Sequence, residues 1–138
     1  MKILEILTPK RKIGNKGEKI AIRELKREGY KIIKTNFVAS NHEIDIIAEN
    51  KTTLAFVEVK TRTGEGSTPW EPRPSSSITQ EKQRGIIACA KYYLATNTVN
   101  RRVSLDVIEV YLDKNMKKLK VVHIENAFNL NTAYERKG

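Results

Sequence analysis

Leu54-Ala55-Phe56-Val57-Glu58-Val59-Lys60-Thr61-Arg62 is rich in the branched and aromatic residues that favour a β-strand, and successive side chains along a strand point to opposite faces. Leu54, Phe56, Glu58 and Lys60 therefore share one face, and Ala55, Val57, Val59 and Thr61 the other. A strand apolar on both faces is covered on both. Glu58 and Lys60 then sit where charge is costly unless it is paired or binds something. The stretch before it, His42-Glu43-Ile44-Asp45-Ile46-Ile47-Ala48-Glu49, alternates too, and Asn50-Lys51-Thr52-Thr53 supplies a turn between two strands. With those four residues as the loop, Glu49 pairs with Leu54 and Asp45 comes opposite Glu58. A slip of two residues sets Asp45 against Phe56 and leaves Glu58 on the diagonal. In either register Asp45, Glu58 and Lys60 project from one side of one hairpin, where two acids repel unless a cation lies between them.

The 138 residues suit a single domain spanning 1–138. Lysine and arginine number 26 against 16 acidic residues, a net charge of +10, and residues 1–31 alone hold ten basic and four acidic side chains. Such a field implies a polyanionic partner, nucleic acid before membrane. No apolar run approaches the roughly 18 residues of a membrane span, and Met1–Leu7 is too short and too charged for a signal peptide. Cys89 is the lone cysteine, so no disulfide forms within the chain and the expected address is the cytoplasm.

In chain order, residues 1–14 are expected as a flexible basic lead-in, with Lys10, Arg11, Lys12 and then Lys16 available to phosphates. Asn15 is the expected N-cap of a helix that runs to about Glu28 and stops at Gly29. Ala21, Ile22 and Leu25 form its apolar stripe, and Glu18 falls on that stripe. One strand is expected over residues 30–38, then a turn at Ser40-Asn41 and the hairpin. Residues 63–77, with three prolines and three consecutive serines, form a long loop of the kind that is functional or disordered. In it, Trp70 and Arg73 suit a base or a phosphate, and a Trp that pins the loop to the body fits equally. Ser77 is the expected cap of a second helix to about Ala95, with Gln83, Ile86, Ile87, Ala90 and Leu94 facing inward and Lys82 at the edge of that face. Arg101-Arg102 suits phosphate, a strand is expected over Val103–Leu112, and Lys117–Ile124 returns as an edge strand guarded by lysines. Residues 125–138 are weakly patterned.

The order helix, three strands, helix, strand carries Glu18, then Asp45, then Glu58-Val59-Lys60. This resembles the PD-(D/E)XK nuclease superfamily, with its Asp followed by Glu-X-Lys on a hairpin. Gly17-Glu18, Gly29-Tyr30, Asn36, Glu43-Ile44-Asp45-Ile46-Ile47, Phe56-Val57-Glu58-Val59-Lys60-Thr61-Arg62 and Lys82-Gln83 resemble one branch, the YraN-like family of predicted endonucleases related to archaeal Holliday junction resolvases. The resemblance covers about residues 14–112. It implies an α/β, restriction-endonuclease-like core with a central mixed sheet flanked by helices. It also implies Mg²⁺ or Mn²⁺ held by Asp45 and Glu58, by the carbonyl of Val59, and by Glu18 directly or through water, with Lys60 orienting the attacking water. The substrate implied is DNA before RNA, and because resolvase relatives act as dimers a homodimer is expected too; the basic balance of the chain itself offers Lys10, Arg11, Lys12, Lys16, Arg62, Arg73, Lys82, Gln83, Arg101 and Arg102 as contacts. The rival expectations are a non-catalytic nucleic-acid-binding module on the same fold, and a Glu58–Lys60 ion pair with no chemistry. His42 and His123 lack partners at metal-ligand spacing, so zinc is not expected.

Overall fold

The hairpin closes as its turn residues dictate. Asn50 Oδ1 accepts hydrogen bonds from the amides of Thr52 at 3.0 Å and Thr53 at 2.8 Å, and the Asn50 amide donates to the Thr53 carbonyl at 2.9 Å. The side chain thus replaces the backbone bonds that the turn breaks. In this computed structural model, residues 9–63 and 78–130 are described, with side chains from residue 11 onward. Lys10's side chain, Trp70, Arg73, Ser77 and most of the 63–77 loop lie outside the described residues.

The elements are α1 (Pro9–Arg27), β1 (Lys31–Ala39), β2 (His42–Glu49), β3 (Thr53–Thr63), α2 (Gln80–Thr96), β4 (Arg102–Leu112) and β5 (Lys118–Phe128). The five strands form one sheet in chain order, antiparallel at every step except β3–β4, which run parallel from Thr53↔Arg102 to Thr63↔Leu112. This is the expected α/β architecture, a mixed sheet between two helices. On one face Ile20, Ala21 and Leu25 of α1 pack on Ile46, Ala48, Ala55, Val57, Ile108 and Val110. On the other, Ile86, Ile87, Ala90 and Tyr93 of α2 pack on Ile47, Leu54, Phe56, Leu105 and Val107. No helix among the described residues is long and apolar enough to cross a membrane.

Three boundaries differ from expectation. Helix α1 starts at Pro9, six residues before Asn15, so part of the presumed flexible lead-in is helical. Proline is well placed in a first turn, the lysines and arginine that follow are good helix formers, and Ile13 gains a place against the α1-side core. The cap of α2 is Thr79, whose hydroxyl accepts from the Lys82 amide at 3.1 Å. Strand β5 continues past Ile124 to Phe128, which is buried. Its period is interrupted at Asn126, whose φ of +50° accompanies a shift in the β4–β5 ladder between Leu105 and Val107.

Asp106 fills that irregularity. Fully buried, it accepts the Asn126 amide at 3.1 Å, the Ser104 hydroxyl, and His123 Nε2 at 2.7 Å. The other ring nitrogen, Nδ1, lies 2.7 Å from Glu28 Oε1 just past the end of α1. Burial opposes a charge on the ring, but Asp106 and Glu28 outweigh it and take His123 up to about 9. One imidazolium therefore ties the end of α1 to β4 and β5.

Because the folded pKa lies above the ordinary 6.5, this stabilisation is complete below pH 6.5 and fades as pH rises through about 9. After allowance for solvent screening, His123→Gln should cost about 2 kcal/mol at pH 6 and much less at pH 9.5. Urea unfolding of both proteins at the two pH values checks this; an equal loss at both would show that the ring is not charged in the clamp.

Candidate active site

Glu58 is the residue around which the site is built. It lies on β3 at 4% exposure, with Val107 of β4 as its parallel neighbour. The β2–β3 ladder pairs Glu49↔Leu54, Ala48↔Ala55, Ile47↔Phe56 and Ile46↔Val57, the expected register, and pairs no residue beyond Ile46. At the next position Asp45 Oδ2 accepts the amide of Val59 at 2.8 Å. A side chain thus takes over a bond that the ladder would otherwise make, and the Asp45 carboxylate is held beside Glu58.

The electrostatics follow from that placement. Burial first, then the charge of Asp45, pushes Glu58 up to about 7, with Lys82 pulling the other way. Asp45 is also raised, chiefly by burial, against the lowering effect of the Val59 amide. Glu58 Oε1 is buried and accepts no hydrogen bond from an N–H or hydroxyl group, while the Glu58 and Asp45 carboxyls meet closely enough to share a proton. Two adjoining acids, both resisting ionisation and one with an orphaned oxygen, form a place that favours a cation.

Glu18 approaches from the other helix. Adding a Cβ to Gly17 would drive it into the Thr61 side chain, so this glycine lets α1 lie against the end of β3. Glu18 is raised by burial and then by the charge of Asp45, and Asn36 Nδ2 donates to it at 3.5 Å. Asn36, with φ of +52°, falls opposite Asp45 in the β1–β2 register. Glu18 is therefore near Asp45, but Glu18, Asp45 and Glu58 do not form a set whose ligand atoms all lie within 4.8 Å of one another. The set that does among the described residues is Glu28, His123 and Glu125, at the far end of α1. There His123 gains Glu28 from beyond α1 and Asp106 from β4, with Glu125 two residues along its own strand, and its protonated ring already spends both nitrogens on Glu28 and Asp106.

The cations separate into groups. Lys82 Nζ lies 3.2 Å from Glu58 Oε2, on the wall of an open cleft of about 230 Å³ lined by Asn41, His42, Glu43, Asp45, Lys82 and Ile86. Burial opposes its charge, yet Glu58, with Asp45 and Glu43 adding, holds the ammonium above its ordinary value. Adjacent Gln83 instead donates to the Ile78 carbonyl at 3.0 Å at the start of α2. Lys60 is half-buried beside Glu109, whose Oε1 accepts the Tyr111 hydroxyl at 3.1 Å while its Oε2 has no partner. Arg62, two residues further along β3, has a buried Nε without a partner. Arg101 and Arg102 lie at the opposite end of β3: Arg101 binds the Asn50 carbonyl at 2.6 Å and Glu49 at 3.2 Å, and Arg102 reaches Thr53 at 3.3 Å. Lys12 and Lys16 are exposed on α1, as is Arg11. Lys16 joins Arg23, Arg27 and Lys118 around a groove of about 190 Å³ between α1 and β5. Arg23 and Arg27 fall on the same face of α1 as Lys16 by helical spacing alone, a signal absent from the expected contacts, whereas Lys118 joins them only when β5 lies beside the helix.

The sequence model of a family described as "Uncharacterised protein family UPF0102" matches residues 17–110, which include every one of these acids except Glu125. A UPF0102 protein of Desulfosudis oleivorans is 44% identical over 131 residues, covering 93% of this chain and 98% of its own. One from Caldanaerobacter subterraneus subsp. tengcongensis is 41% identical over 121 residues, covering 86% and 96%, and one from Geobacter metallireducens is 39% identical over 119, covering 86% and 93%.

Raising Glu58 from 4.5 to about 7 means that the folded chain binds its proton more tightly than the unfolded one, so this group erodes stability as pH climbs through that window. Relative to the parent, Glu58→Gln should gain about 3 kcal/mol between pH 4.5 and pH 8. Chemical denaturation across that range tests it, and a pH-independent difference would mean that Glu58 ionises normally.

Proposed function

The chain belongs to the UPF0102 family, that of the YraN-like proteins, and from that premise and the setting of its acids we propose that it is a metal-dependent endonuclease that hydrolyses phosphodiester bonds in DNA, branched or otherwise structured DNA foremost. The observation that carries this reading is the orphaned oxygen of buried Glu58 beside Asp45. A buried carboxylate oxygen without a donor is costly, and a divalent cation relieves both that oxygen and the crowding of the two acids.

Carboxylates and a backbone carbonyl are hard oxygen donors, the set that suits Mg²⁺ or Mn²⁺. Asp45, Glu58 and the Val59 carbonyl would hold the ion, and Glu18, set further off and steadied by Asn36, would act through water. The ion supplies a Lewis acid for the phosphate and acidifies a neighbouring water. Lys60 projects from the face that carries Glu58. Its ammonium is suited to orienting the attacking water and to offsetting the charge that grows on the phosphate oxygens. Lys12, Lys16 and the groove formed with Arg23, Arg27 and Lys118 would grip the backbone without reading bases.

A second reading, a nucleic-acid-binding module without turnover, is favoured by one feature. Lys82 already neutralises Glu58, which a vestigial site needs and a working one must undo.

Cleavage of a four-way DNA junction and of linear duplex in Mn²⁺ at pH 8 separates the two. The enzyme reading expects metal-dependent cutting that falls about a hundredfold or more in Asp45→Ala, Glu58→Ala and Lys60→Ala, with DNA binding in chelator retained. Cutting undiminished in both Glu58→Ala and Lys60→Ala, or tight binding with no cutting under any divalent ion, would exclude it.

A further inference from the structure

Lys82 reaches the floor of the cleft from outside. The Thr79 cap fixes its backbone in the first turn of α2, its side chain is 51% exposed, and its ammonium ends 3.2 Å from Glu58, whose side chain is 5% exposed. Asp45 and Glu43 face the same ammonium. A monovalent cation on a flexible arm therefore stands among the acids proposed to hold the divalent one.

We propose that Lys82 is a tethered counter-ion for the metal site, displaced when the divalent ion loads and thereby freed to bind a backbone phosphate of the DNA. The inference rests on the metal-dependent reading above. An ion at ligand distance from Glu58 oxygens, roughly 2.0–2.6 Å, would lie only a few ångströms from the ammonium, and the two positive charges exclude each other. The arm has somewhere to go, because its stem is half in solvent at the mouth of the cleft. Once released, the ammonium needs a new anion, and a DNA phosphate entering that mouth provides one. Metal loading and phosphate binding then favour each other, each strengthening the other by the same factor. In the metal-free chain the same contact keeps Glu58 neutralised, so the fold tolerates a buried acid before the ion arrives. Lys60 has a different place: among the described residues it forms no ion pair with Glu58, so its amine remains available to the reacting groups.

Calorimetric titration with Mn²⁺ alone at pH 8, using the full-length chain, provides the test. Lys82→Met should bind Mn²⁺ about tenfold more tightly than the parent, and Lys82→Arg, which keeps the competing charge, should bind like the parent. Anisotropy with a fluorescent DNA duplex gives the second readout. Lys82→Met should match the parent in chelator, where the ammonium is occupied, and bind about tenfold more weakly when Ca²⁺ is present. Equal or weaker Mn²⁺ binding by Lys82→Met, tightening in Lys82→Arg as well, or a loss of DNA affinity already in chelator overturns the role of Lys82 while the metal site stands. Absence of Mn²⁺ binding by the parent and by every variant overturns the metal site and this role together.

Discussion

A carboxylate on a strand covered on both faces is the constraint to which the rest of this chain answers. Water would solvate Glu58 by several kilocalories per mole more than the interior does, and Asp45 adds a second negative charge beside it. The surroundings offset this piecemeal: the Val59 amide serves Asp45, Lys82 serves one oxygen of Glu58, and the other oxygen is left over. Replacing these groups by apolar ones would make a better core. Stability alone therefore does not account for their presence.

The two helices lie on opposite faces of the sheet, yet one sends a side chain to Glu58 and the other a side chain toward its neighbour Asp45. That is possible because β2 and β3 stop pairing beyond Ile46↔Val57, so the sheet opens where Asp45 and Glu58 stand. Lys82 enters from the α2 face. From the α1 face Glu18 approaches Asp45, brought in by the close contact that Gly17 permits with Thr61. At its other end α1 is fastened by Glu28 to His123 and through it to buried Asp106. The helix carrying Glu18 is thus fixed at two points along its length, one steric and one ionic.

Much of the hairpin was legible in the residues because its determinants are local. The Asn50 turn fixed the register from Glu49↔Leu54 onward, and period-two alternation separated Phe56 and Glu58 from Val57 and Val59. The end of α1 at Gly29 was legible for the same reason: its φ is +95°, and the Tyr30 amide returns to the Leu25 carbonyl at 2.9 Å. Boundaries set by weaker signals are less legible. Pro9 suits a loop as well as the first helical turn it occupies, and Glu125 and Asn126 break the alternation of β5 after Ile124 although the strand runs on to Phe128.

What the sequence determined by itself is the class of fold and the placing of Asp45 beside Glu58, since propensity, turn chemistry and strand period act over a few residues. Tertiary structure decided the partners: that Lys82 and not Lys60 neutralises Glu58, that Glu18 feels the charge of Asp45 and meets Asn36, that Lys118 joins the cations of α1 around a groove, and that His123 meets Glu28 and Asp106. Those contacts join residues far apart in the chain, and their distances depend on how closely a helix lies against a sheet. At Gly17 that closeness is set by the absence of a single methyl group, which carries its full weight only once α1 has docked.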